Sequence, residues 1–167
     1  MGEVKALIDR EAITKMRQIA GSETAMLCTF SGAQTMNTRP MGTLAIDDAG
    51  SFWFFSCKDS SKNRELSQNG RVQLVYSVPG KSEYMSIEGT AKVSRDQRKI
   101  DQLWNPICKA WFPDGKNDPN ITVIQVSPSG GHYWDTKHGT MITFAAIAAS
   151  ALTGKQLDAG VEGDLKV

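Results

Sequence analysis

Little in this sequence announces chemistry by itself. It holds two histidines and three cysteines, carries no Gly-x-Ser-x-Gly elbow, and has no glycine-rich loop ahead of Thr153-Gly154-Lys155. Those absences remove the usual marks of a serine hydrolase and of a nucleotide-binding loop. Cys28, Cys57 and Cys108 are odd in number and widely spaced within apolar stretches, so neither a disulfide framework nor a zinc site is expected. They read as small core residues in a reducing cytosol. His132 and His138 lack a neighbouring cysteine or carboxylate cluster in sequence, which falls short of a metal site.

Charge of one sign is also missing. Nineteen basic and eighteen acidic residues leave a net charge of +1, which gives no overall field for nucleic acid or an acidic membrane, and no helix-turn-helix is visible. Any anionic ligand must be caught by local geometry. The longest apolar run, residues 141–152, is shorter than the roughly 20 residues of a membrane span and predicts a buried or interface helix. The start Met1-Gly2-Glu3-Val4-Lys5 leads into no apolar stretch of signal-peptide type, which argues for a cytoplasmic protein.

What is present is enough for one domain, expected over residues 1–154, with a flexible tail over 155–167 where Gly160 and Gly163 stand among charged residues. Val4, Leu7, Ile8, Ala12, Met16 and Ile19 recur at helical spacing up to Gly21, predicting an opening helix. Strands are expected over 24–31 and 35–46, joined by the turn Ser31-Gly32-Ala33-Gln34, and over 51–57 after the turn at residues 47–50. Phe52-Trp53-Phe54-Phe55 is apolar on both faces, as a central strand would be. A short helix over 62–68, capped from residues 59–61 and closed by Asn69-Gly70, precedes a hairpin of 71–77 and 82–93 turned at residues 78–81. Ser94 and Gln97 have the spacing of a capping box before a helix bearing Ile100, Leu103, Trp104 and Ile107, which Pro106 bends or restarts. The last strand is expected over 121–126 and 131–135, interrupted near Pro128-Ser129-Gly130. Antiparallel strands with short helices between them suggest a closed or partly closed barrel.

One constellation points to a ligand. The third strand runs into a helix start at Ser56-Cys57-Lys58-Asp59-Ser60-Ser61-Lys62, where unpaired backbone amides and the positive end of the helix dipole favour a phosphate. On the second strand the period of two puts Thr35, Asn37, Arg39, Met41 and Thr43 on one face. Pro40 cannot donate to a ladder, so it marks an edge or bulge with free backbone beside it. A solvated face and an ordinary cap would produce the same pattern.

Asn37-Thr38-Arg39-Pro40-Met41-Gly42, then Phe54-Phe55-Ser56 with Ser60-Ser61-Lys62 and Glu65-Leu66, then Ile87-Glu88-Gly89-Thr90-Ala91, resemble in order and spacing the flavin-binding split barrel of the pyridoxamine 5′-phosphate oxidase-like superfamily. Trp104-Asn105-Pro106, the run from Lys109 to Pro113 and Tyr133-Trp134-Asp135 resemble its general stress protein 26 group. The resemblance covers about residues 13–134. It implies a mainly β fold with flanking helices, a Greek-key-like antiparallel split barrel with N-terminal and C-terminal helices, that holds FMN between two identical subunits.

Carried over, the resemblance places Asn37, Thr38 and Arg39 with the backbone of Pro40 and Met41 along the flavin, and Ser56, Ser61 and Lys62 at its phosphate. Tyr84 aligns with a flavin-contacting position that is Gln in the oxidase proper. Trp134 matches an aromatic brought to the flavin across the dimer interface, and Trp111 either covers the pocket from the partner or buries itself beneath its own loop. The oxidase grips its substrate phosphate with a C-terminal Arg and His stretch, whereas residues 136–141 here read Thr136-Lys137-His138-Gly139-Thr140-Met141, so pyridoxal phosphate synthesis is not expected. Two readings stay open: an FMN-dependent oxidoreductase of unknown substrate, and a non-catalytic flavin-binding or flavin-sensing stress protein. Some relatives hold haem or a deazaflavin instead. Haem would need an axial ligand from a His, Met or Cys.

Overall fold

Leu27, Leu74 and Ile87 stand side by side on three neighbouring strands and are fully shielded from solvent. Each belongs to an alternating segment whose inward side chains are mostly apolar, so pairing in this register puts one face of all three strands into a common core. The computed structural model describes residues 3–31, 35–136 and 160–166. In chain order its elements are β1 (Glu3–Val4), β2 (Leu7–Ile8), α1 (Arg10–Ala20), β3 (Thr24–Ser31), β4 (Thr35–Gly42), β5 (Ala45–Ile46), β6 (Phe52–Cys57), α2 (Ser61–Gln68), β7 (Arg71–Val78), β8 (Glu83–Ser94), α3 (Gln97–Leu103), β9 (Ile121–Thr136) and β10 (Gly160–Lys166). The expected turn at 32–34, the helix over 141–152 and His138 lie outside the described residues.

The strands close into a ring. β3 pairs with β4 on one side and β7 on the other, followed by β8, β9 and β6, all antiparallel. β4 and β5 are two arms of one segment, expected as a single strand over 35–46. It turns at Thr43, whose hydroxyl is buried 2.8 Å from that of Tyr76. Beyond the corner the Leu44 amide bonds to the Trp53 carbonyl, and β5 pairs with β6. The bend lets one strand serve two sides of the ring, while the side of β4 away from β3 stays unpaired among the described residues.

β9 branches the sheet. One of its edges pairs with β8 from Val123 to Trp134, while the other serves β6 in its first half and β10 in its second. The expected interruption at Pro128 is a bulge within one continuous strand: Gly89 faces Pro128, Glu88 faces Gly130, and Ser129 is the extra residue. The bulge absorbs the missing amide of Pro128 without ending the strand.

Two expectations at the chain ends are corrected. Val4, Leu7 and Ile8 have helical spacing, but residues 3–8 run as short strands parallel to β10, with Val4 and Ile8 exposed, and the helix begins only at Arg10. Residues 160–166, expected as a disordered end, form β10 itself. The glycines that suggested disorder serve close packing. A Cβ at Gly163 would lie 1.9 Å from the Lys5 carbonyl oxygen, and that carbonyl also accepts a hydrogen bond from Tyr133 at 2.9 Å. Two further corrections are local. α3 is capped by Asp96, whose carboxylate accepts from the amides of Arg98 and Lys99, rather than by Ser94. Cys57 is exposed, whereas Cys28 and Cys108 are buried as expected, and all three thiols are free.

The helices then find their places. α1 presents Ala12, Met16, Ile19 and Ala20 to the barrel interior and stops at Gly21, whose amide bonds to the Arg17 carbonyl. β6 is apolar on both sides because it separates two cores. Phe52 and Phe54 point into the barrel, while Trp53 and Phe55 point outward to Ile100 and Phe112 under α3. Among the described residues no helix is long and apolar enough to cross a membrane.

Gly89 tests the bulge. A Cβ there would lie 2.5 Å from the Ser127 carbonyl oxygen, and backbone on both strands leaves little room to yield. Gly89→Ala is expected to cost about 1–3 kcal/mol of stability, read as a lowered urea midpoint. An unchanged midpoint would mean that the β8–β9 register is looser than described.

Candidate functional site

β6 ends in a turn whose last residue, Ser60, caps α2 by accepting the Asn63 amide at 3.4 Å. The junction is locked from beneath. Ser56 is 2% exposed and donates to the Asn63 side-chain carbonyl at 2.7 Å; the Asn63 amide donates to Thr122 at 3.0 Å, and Thr122 donates to the Ser56 carbonyl at 2.9 Å. The expected phosphate ligand Ser56 thus has its hydroxyl inside a buried polar lock, while Ser61 and Lys62 stand on the first turn of α2, where backbone amides lack intrahelical partners. Asn63 and Thr122 were not singled out in the sequence. Asparagine in a short polar helix resembles any surface residue until the strand beneath it is known.

β4 lies over the same helix. Asn37, Arg39 and Met41 alternate inward, with Met41 in the core, while Thr38 and Pro40 face out. Pro40 sits where it was expected, since no strand among the described residues pairs with the side of β4 away from β3. Asn37 and Arg39 converge on Glu65. Its carboxylate accepts from Asn37 at 2.8 Å, from Arg39 at 2.9 Å, and from the buried hydroxyl of Thr29, to which Arg39 also donates. Burial alone would raise the Glu65 pKa, but the Thr29 hydrogen bond and the Arg39 charge prevail and hold it below the usual carboxylate value.

Lys62 lies one turn before Glu65 on the same helix face. It is half-buried, and among the described residues no hydrogen bond or ion pair engages its ammonium. Its pKa is lowered, first by burial and then by the nearby positive charge of Arg39. Cys57 and Glu65 offset these effects only in part, and two cations beside a helix start suit a phosphate or carboxylate.

The remaining expected residues are elsewhere. Tyr84 and Trp134 are direct cross-strand partners, each about 40% exposed, on the outer face of the sheet. Trp134 packs against His132 with ring centroids 4.6 Å apart, and His132 lies 3.0 Å from Asp164 and 3.7 Å from Glu162, carboxylates that sequence distance had hidden. On the same face, Pro40, Met26, Val75, Ser86 and His132 form one row in register across β4, β3, β7, β8 and β9. Trp111 is 70% exposed on the connection after α3 and is not buried beneath its own loop. The structure thus groups Asn37, Arg39, Ser61 and Lys62 on one side and Tyr84 with Trp134 on the other, and leaves Trp111 apart.

An antiparallel barrel closed through a bent strand and branched at β9 is a split β-barrel. A family profile described as pyridoxamine 5′-phosphate oxidase like matches residues 11–158. The chain belongs to the pyridoxamine 5′-phosphate oxidase-like family. Solved relatives include a candidate general stress protein 26 from Jannaschia sp., 24% identical with a TM-score of 0.74 over 94% of this chain and 96% of that one. A general stress FMN/FAD binding protein from Xanthomonas citri is 30% identical, with a TM-score of 0.64 over 74% of this chain and 88% of that one. Protein bli-3 of Neurospora crassa is 26% identical over 71% of this chain, and the match spans 61% of that protein's length.

Because the folded pKa of Glu65 is depressed, its contribution to stability is fully present above the unfolded value of about 4.3 and is lost as pH falls through the folded value. Glu65→Gln is expected to lower the urea midpoint at pH 7, with the gap from wild type narrowing below about pH 4. Curves that stay parallel down to pH 2 would show that Glu65 is not held by these partners.

Proposed function

We propose that this protein binds FMN in a homodimer and acts as a flavin-dependent oxidoreductase of the general stress type. The observation that carries this reading is the half-buried ammonium of Lys62, left without a partner among the described residues beside Arg39 at the start of α2. The site fits a terminal phosphate: Lys62 and Arg39 would meet its charge, Ser61 and the first-turn amides would donate to it, and the free side of β4 at Pro40 and Met41 would lie along the flavin. The FMN/FAD binding of the Xanthomonas citri relative supports a flavin, and a site built for a terminal phosphate favours FMN over FAD. Bound, the flavin would supply electron transfer, and the chain would orient it and shield it from water. Three free thiols, one of them exposed, suit a reducing cytoplasm.

The dimer is supported by where the aromatic residues lie. Arg39 faces into the barrel and Trp134 faces out, on opposite faces of the sheet. One flavin in contact with both groups would therefore take them from two chains. Met26, Val75, Tyr84 and Trp134 form an exposed apolar band on that outer face, as a self-association surface requires.

A non-catalytic flavin-binding or flavin-sensing role is the second reading. It is favoured by Glu65, the carboxylate at the site, being fully engaged by Thr29, Asn37 and Arg39 and so unavailable as an acid or base. Anaerobic titration with NADPH separates the two: bleaching of bound flavin supports the oxidoreductase, and a spectrum unchanged by any nicotinamide donor supports the binding protein.

Lys62→Ala is expected to weaken FMN binding by about 1–3 kcal/mol in a fluorescence titration. An unchanged dissociation constant would remove Lys62 from the site. Val75→Glu, a charge in the middle of the outer band, is expected to give a monomer by light scattering and to lose most FMN affinity with it. A Val75→Glu monomer that binds FMN as tightly as wild type would refute a shared site.

A further inference from the structure

We propose that Glu65 is a positioning residue that fixes the Arg39 guanidinium in place for the flavin phosphate; this rests on the reading above that the site takes FMN. Arg39 bonds through both terminal nitrogens, one to the Glu65 carboxylate and one to the Thr29 hydroxyl, and Thr29 donates in turn to the same carboxylate oxygen. Fixing two nitrogens of a planar fork fixes its plane, so the three groups form a closed ring that leaves the guanidinium no free rotation. Asn37 occupies the second carboxylate oxygen, which holds Glu65 as firmly as Glu65 holds Arg39.

The helix makes the arrangement coherent. α2 carries Lys62 and, one turn later, Glu65, so a single element delivers both the free cation and the anion that restrains its neighbour. Burial is the first cause of the lowered Lys62 pKa and the charge of Arg39 the second, so the two cations repel each other across the site. Without Glu65 the long Arg39 side chain would swing from the inner face of β4 toward water, where its hydration is better. With Glu65 in place, two cations stay side by side before any ligand arrives. That preorganisation lowers the ordering cost of binding.

Electrostatics alone predicts the opposite. A carboxylate this close to a phosphate repels it, so simple charge counting has Glu65→Gln tighten FMN binding. Positioning has it weaken. The experiment is therefore titration of the full-length Glu65→Gln protein with FMN and with riboflavin, which lacks the phosphate, after thermal unfolding shows the variant to be folded at the assay temperature. FMN affinity is expected to fall about tenfold with riboflavin affinity unchanged, the size of one charge-assisted contact. The double variant Arg39→Gln/Glu65→Gln is expected to bind no worse than Arg39→Gln alone, because the two residues act as one unit. Glu65→Asp keeps the charge but shortens its reach, so it is expected to weaken FMN binding as well, and it serves if Glu65→Gln does not fold. Unchanged or tighter FMN binding in either folded variant, or additive losses in the double variant, would overturn the positioning role. Failure of the wild-type protein to bind FMN and riboflavin at all would instead overturn the flavin site, and the proposal with it.

Discussion

Closure of the antiparallel ring is the constraint on which this structure rests. A twisted sheet closes into a ring only if some strand joins its two ends, and here the bent segment of β4 and β5 does so by pairing with β3 before the corner and with β6 after it. The corner is stable because Thr43 turns inward to a buried Tyr76 hydroxyl, which satisfies two polar groups that would otherwise stand unpaired in the core. Burial pushes the Tyr76 phenol well above its ordinary pKa, so it stays neutral there.

The polar site between β4 and α2 follows from that geometry. At its start β4 has already left the apolar centre of the ring, so its inward side chains meet α2 rather than another strand. Asn37 and Arg39 can be polar there only because Glu65 and Thr29 complete their hydrogen bonds. The buried lock of Ser56, Asn63 and Thr122 holds the start of α2 against β9, which keeps Lys62 in its place. Two networks with different tasks therefore lie one above the other, a satisfied one beneath the helix and a charged one in front of it.

The outer face is governed by different physics. Its row of Pro40, Met26 and Val75, with Tyr84 and Trp134 beside it, is too apolar for a surface meant only for water. His132 tempers it at one end, bracketed by Trp134 and by two carboxylates of β10. Inner and outer faces alternate residue by residue along β4, so Arg39 and Pro40 are neighbours in the chain yet belong to opposite surfaces.

Much of this was determined by the sequence alone. The alternation of strands, the both-sided apolarity of β6, the helix stop at Gly21 and the polar face of β4 are local patterns, set by backbone period and by side chains a few residues apart. The family resemblance added their order. What only the tertiary structure decided are the pairings made at long range. Residues 3–8 have helical spacing but lie beside β10, because Gly163 leaves room for the Lys5 carbonyl. Glu65 reads as an ordinary helix residue until β3 and β4 bring Thr29, Asn37 and Arg39 to it across 26 or more positions. Spacing along the chain reports which face a side chain takes. It does not report which distant strand will meet that face, since that choice is made by the burial and hydrogen bonding of the whole barrel.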